Sequence, residues 1–90
     1  MPSYLVETFL ARARAEERTT YEARARAAAE AASVSGTRVR FEGAINVPED
    51  EICFFVFDAP SRNEALLVAR RAELDPIRVV EAVTSRQEEG

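Results

Sequence analysis

The chain contains no histidine, no lysine and no tryptophan, and one cysteine among its 90 residues. Each absence removes a class of chemistry. Without histidine there is no imidazole to serve as a general base near neutral pH or to ligate a metal, and without lysine there is no amine for Schiff-base catalysis. Cys53 alone makes no internal disulfide, and a zinc site of the usual Cys/His type would need ligands shared between subunits. No apolar run approaches the roughly 20 residues of a membrane helix. The N-terminus lacks the basic, apolar and small-residue regions of a secretory signal. A soluble, cytoplasmic protein without a membrane partner is expected.

The charge balance excludes a further partner. Twelve basic residues, all arginine, stand against sixteen acidic ones, for a net charge of -4 and a pI near 4.9. A nucleic-acid binder normally presents a basic field to phosphates, so no nucleic-acid partner is expected. There is no glycine-rich phosphate loop, no G-x-S-x-G elbow and no dinucleotide fingerprint, and no cofactor is implied. With 47% apolar and 31% charged residues the composition is that of a globular chain, and its length supplies one core. We read residues 1–85 as a single domain and 86–90 as a polar tail.

Periodicity then separates the elements. Tyr4, Leu5, Val6, Phe9 and Leu10 around Glu7 and Thr8 predict a strand over Ser3 to Leu10. Ala11 to Val34, rich in Ala, Arg and Glu, predicts a helix with Tyr21, Ala25, Ala28 and Ala32 on one face. Thr19 with Glu22 offers one start for it, but the Glu16-Glu17 pair favours an earlier start near Arg14, and Ser35-Gly36 ends it. Val39, Phe41, Gly43 and Ile45 alternate with more polar residues, giving a half-exposed second strand. After the turn at Pro48, Glu49 and Asp50, the unbroken run Ile52 to Phe57 reads as a third strand buried on both faces. Ser61 and Glu64 form a capping-box pair for a second helix carrying Ala65, Val68, Ala69 and Ala72, predicted to end at Asp75-Pro76. Ile77, Val79, Val80 and Val83 make a fourth strand.

The order β-α-β-β-α-β predicts a ferredoxin-like α+β sandwich: a four-stranded antiparallel sheet with two helices on one face. A third strand apolar on both sides then requires cover over the other face. A second copy, related by two-fold symmetry, is the simplest cover, so a homodimer packed sheet to sheet is expected.

Three stretches carry a resemblance: Pro2-Ser3-Tyr4-Leu5-Val6-Glu7, Cys53-Phe54-Phe55-Val56-Phe57-Asp58-Ala59-Pro60-Ser61, and Ala69-Arg70-Arg71-Ala72-Glu73-Leu74 through Arg78-Val79-Val80-Glu81. The chain resembles a family of short, largely uncharacterised bacterial proteins that includes an actinobacterial nickel-binding protein. The resemblance spans nearly the whole chain, and it implies a ferredoxin-like fold and dimers of the α/β-barrel type. The nickel-binding relative relies on histidine, so no metal ligand carries over to this sequence. Family members also commonly have a glycine where this chain has Glu73.

The candidate functional residues follow from the strands. Glu7, on a central strand, is a candidate general acid or base, or else the partner of Arg38 or Arg40 in an ion pair; Glu81 is a second carboxylate for the same role. Cys53, opening an apolar run without a basic neighbour, reads as an inert core thiol. Phe41, Phe54, Phe55, Phe57 and Glu81 are candidates to line a pocket for a flat organic molecule, although the aromatic residues also suit plain core packing. Arg14, Arg18, Arg24 and Arg26 alternate with acids and read as a solvated helix face. The leading expectation is a dimeric binding protein for a small molecule or ion. The rival is a cofactor-independent monooxygenase, cyclase or isomerase of the dimeric α/β-barrel type, acting on an aromatic or polyketide-like compound, with Glu7, Arg40, Tyr4 or Tyr21 orienting the substrate.

Overall fold

Strict alternation on the two central strands sets the two faces of the sheet. On β1 (Ser3–Phe9), Tyr4, Val6 and Thr8 are buried on one side; on β3 (Ile52–Asp58), Cys53, Phe55 and Phe57 are buried on the same side. The computed structural model describes residues 1–83, so the 86–90 tail lies outside the described residues. With β2 (Arg40–Val47) and β4 (Arg78–Ala82), the strands form one antiparallel sheet in the order β2-β3-β1-β4. Helices α1 (Arg18–Val34) and α2 (Arg62–Arg71) provide the α elements of a ferredoxin-like β-α-β-β-α-β chain order. No helix among the described residues is long and apolar enough to cross a membrane.

The core lies between this sheet face and the helices. Phe55 and Phe57 are fully buried against Val6, Val39 and Val79, and each such side chain contributes about 1.5–3 kcal/mol relative to exposure. The helices meet these large residues with small ones: Ala25, Ala29 and Ala32 from α1, and Ala65, Val68 and Ala69 from α2. Small faces let the helix backbones approach the aromatic layer closely, which supports dense packing without large side chains on both layers.

Several local features differ from the sequence expectation. The first helix starts at Arg18, not near Arg14: Arg12–Glu17 forms a 3-10 segment interrupted at Arg14, whose φ and ψ are -120° and 25°. The third strand is fully buried on one face only, because Ile52, Phe54 and Val56 lie on the open face and are half-buried. On β2 the simple alternation fails at a bulge between Phe41 and Gly43. The bulge turns Phe41, Ala44 and Asn46 toward the helices while Gly43 and Ile45 join the open face, opposite Val56 and Phe54. Gly43 has φ +149°, and an added Cβ would meet nothing within 4 Å, so backbone conformation rather than space favours glycine there.

The second helix ends at Arg71, short of Asp75-Pro76. Glu73 adopts a left-handed φ of 60°, and its N–H reaches the Arg70 carbonyl while the Leu74 N–H reaches that of Ala69. This is a Schellman closure built on a residue other than glycine. At the start of α2, the Ser61 hydroxyl accepts from the Glu64 N–H at 3.4 Å, as the capping pair predicts. Gly36, at φ +103°, closes α1 with the Thr37 N–H on the Ala32 carbonyl.

Candidate functional site

The sheet presents two surfaces of different character. On the open face the cross-strand rows read Val47-Ile52-Phe9, then Ile45-Phe54-Glu7-Arg78, then Gly43-Val56-Leu5-Val80. Phe9 and Ile45 are 57% and 54% exposed, and Leu5, Ile52, Phe54, Val56 and Val80 are half-buried between them. A contiguous apolar patch of this kind, broken by one ion pair, marks an association surface more often than a solvated one.

Glu7 sits within that patch. Its carboxylate accepts from Arg78 Nε at 2.7 Å, so its partner is neither Arg38 nor Arg40 as the sequence suggested, but an arginine brought opposite by the β1–β4 register. Glu81 pairs in register with Tyr4, which places it on the other face from Glu7; the two carboxylates do not meet. Arg40 lies opposite Asp58 on the open side, 3.5 Å from Glu42. Asp58 accepts from the Ser3 hydroxyl at 2.7 Å, and hydrogen bonding to Asp58 is the main cause that raises the Glu42 carboxyl above its ordinary value.

Most of the remaining aromatic candidates lie under the helices. Tyr4 is buried, and Tyr21 from α1 meets Phe55 edge-on with ring centres 6.2 Å apart. Phe41 lies 5.3 Å from Phe57 and 6.4 Å from Phe55. The structure therefore brings Tyr21, Phe41, Phe55 and Phe57 together, while Phe54 faces the opposite way and Glu81 is exposed at the β4 edge. Glu7 and Arg40 stand across the sheet from Tyr4 and Tyr21. The four residues named for catalysis do not converge.

The helix-one arginines are less solvated than the charge pattern implied. Arg24 donates to the carbonyls of Ala72 and Glu73 at 2.7 Å each, capping the end of α2, and Arg26 stacks over Phe41 at 5.3 Å. Arg26, Arg40 and Phe41 are among the residues that line an open groove of about 440 Å³ between α1 and β2. Among the described residues, no three His, Cys, Asp or Glu side chains lie together in a way that holds a metal ion.

One cluster was missed in the sequence. Thr8, Cys53 and Asn46 form a row across β1, β3 and β2 on the helix side. Burial pushes the Cys53 thiol up from 9.0 to about 11; the nearby Arg18 guanidinium opposes this and the Glu22 carboxylate adds to it. Arg18 and Glu22 are themselves paired at 3.1 Å. Thr8 was legible as a polar residue in phase with Tyr4 and Val6, whereas Asn46 was hidden by the β2 bulge, which changes its face.

In comparisons with known proteins, no family model, no curated protein and no solved structure matches this chain.

Proposed function

We propose that this chain is a cytoplasmic homodimeric binding protein of ferredoxin-like fold, with two copies packed open face to open face and a small molecule or ion held on the helix side of each sheet. The observation that carries the reading is the apolar open face, in which Leu5, Phe54, Val56 and Val80 adjoin the exposed Phe9 and Ile45. A four-stranded face with strands of about seven residues spans roughly 450 Å² in projection, of the same order as the about 800 Å² per partner of a standard interface. A two-fold axis through this face sets each Glu7–Arg78 pair beside its partner's apolar rows, which keeps the only charge on the central rows internally compensated. Membership of the family of short ferredoxin-like bacterial proteins belongs to the same reading and is supported by the element order.

Native mass spectrometry of the protein purified from its own host tests both halves together. The reading expects a dimer with a retained small mass, and Val56→Lys, a charge at the centre of the open face, gives a folded monomer. A wild-type monomer at micromolar concentration removes the dimer; a dimer empty in every preparation removes the ligand.

A further inference from the structure

Two open grooves lie at β2, the edge strand of the sheet. Arg26, Arg40 and Phe41 help to line one, of about 440 Å³, and Arg38, Arg40 and Pro60 help to line the other, of about 710 Å³. Both include Ser33, Val39 and Arg40 in their walls, so they adjoin. Three arginines therefore line neighbouring walls in a chain of net charge -4, and Glu30 is the one acid among the lining residues. Among the described residues neither Arg26 nor Arg38 forms an ion pair, and Arg40 has only Glu42, at 3.5 Å and with its own side chain 74% exposed. The frame is fixed by the chain itself. The Ser33 hydroxyl donates to the Val39 carbonyl at 3.0 Å, tying the end of α1 to the residue before β2, and the Arg26 guanidinium is held over the Phe41 ring at 5.3 Å.

We propose that these adjoining grooves bind a small aromatic carboxylate, with Arg26, Arg38 and Arg40 as its anion-recognising residues. Charge sets the first half of this class. Guanidinium groups donate only, and their planar forks match a carboxylate, to which the hydrogen bonds are charge-assisted. Glu30 on the α1 wall favours a single negative charge, because a phosphate dianion meets more repulsion beside it than a carboxylate does. The apolar lining sets the second half: Ala29, Val34 and Phe41 in one groove and Pro60 in the other offer contact to a flat hydrocarbon body. A volume of about 440 Å³ falls within the roughly 300–1,000 Å³ of small-molecule sites. Arg40, one of the residues that the sequence suggested for orienting a substrate, takes a binding role here without Glu7, Tyr4 or Tyr21.

The proposal rests on the ligand-binding half of the reading above and not on the dimer, because α1 and the β2 edge form the walls. It is tested by titrating the full chain at low ionic strength with 2-naphthoate, followed by amide and Arg Nε–H resonances, against 2-naphthamide and inorganic phosphate. The expected result is saturable shifts at Arg26, Arg38 and Arg40, with the neutral amide and phosphate each about tenfold weaker, and a loss of about tenfold in Arg38→Gln and in Arg40→Gln. Both arginines are exposed, so these variants keep the melting temperature of wild type. Arg12→Gln removes the same charge at the other end of the sheet and is expected to leave binding unchanged. Absence of saturable shifts overturns the proposal, as does equal binding of the amide, tighter binding of phosphate, or an equal loss in Arg12→Gln, which would mark the net charge and not the groove. If native protein retains a molecule that the Arg38→Gln/Arg40→Gln variant also retains, this site is overturned while the binding reading stands; if nothing is retained and 2-naphthoate does not bind, both fall.

Discussion

Arg78 Nε lies 2.7 Å from Glu7 Oε1 across the β4–β1 pair, with the carboxylate side chain 17% exposed and the guanidinium 65% exposed. The arrangement anchors a partly covered acid with a largely solvated base inside the apolar open face. Such a pair is worth about 0.2–1 kcal/mol in a monomer. Glu7→Gln is therefore expected to lower stability by about 1 kcal/mol with the fold intact, and a double-mutant cycle with Arg78→Ala, read by urea denaturation, to give coupling in that range. Complete unfolding of Glu7→Gln contradicts this.

The end of α2 supports a second prediction. Glu73 occupies a left-handed position of the kind glycine fills at helix ends, and Arg24 holds the Ala72 and Glu73 carbonyls from α1. Glu73→Gly is expected to stabilise by about 0.5–1 kcal/mol, since it relieves the Cβ penalty of that conformation. Arg24→Ala is expected to destabilise by about 1.5–3 kcal/mol, because two charge-assisted bonds to helix-end carbonyls are lost. Thermal melts resolve both, at about 4–8 °C per kcal/mol for a domain of this size.

Cys53 gives a prediction with a defined sign. Its thiol is buried and its pKa is raised from 9.0 to about 11, so the unfolded chain releases this proton before the folded one does. The contribution to stability is fully present below pH 9.0 and is lost as pH rises from there to about 11. Stability measured across that window is expected to decline less steeply in Cys53→Ala. Thiol reagents at pH 8 are expected to label the folded protein only at the rate of its opening; immediate labelling contradicts the burial.

The fold was largely legible because its main signals are local. The Ser61/Glu64 cap, the Ser35-Gly36 stop and the apolar strands each state their element without reference to the rest of the chain. What escaped depends on register or on distant partners. The bulge at Glu42 reverses the faces of Gly43, Ala44, Ile45 and Asn46, and no residue pattern announces it. Arg78 reaches Glu7 over 71 positions, and Arg24 reaches Ala72 over 48, so the Arg38 or Arg40 partner expected for Glu7 and the solvated face expected for Arg24 both gave way to distant contacts. Of the candidate site, the aromatic residues under the helices were anticipated, while the Thr8-Cys53-Asn46 row required the sheet pairing to assemble it.

Packing of two copies through the open face is the central claim, and small-angle scattering of the purified chain in solution tests it most directly. One protomer has a radius of gyration of 12.9 Å and a thin dimension of 19 Å. Two sheets stacked about 10 Å apart give a dimer radius of roughly 16 Å, with a compact pair-distance distribution. A value that stays near 12.9 Å, or one above roughly 20 Å as in an edge-to-edge pair, would contradict it.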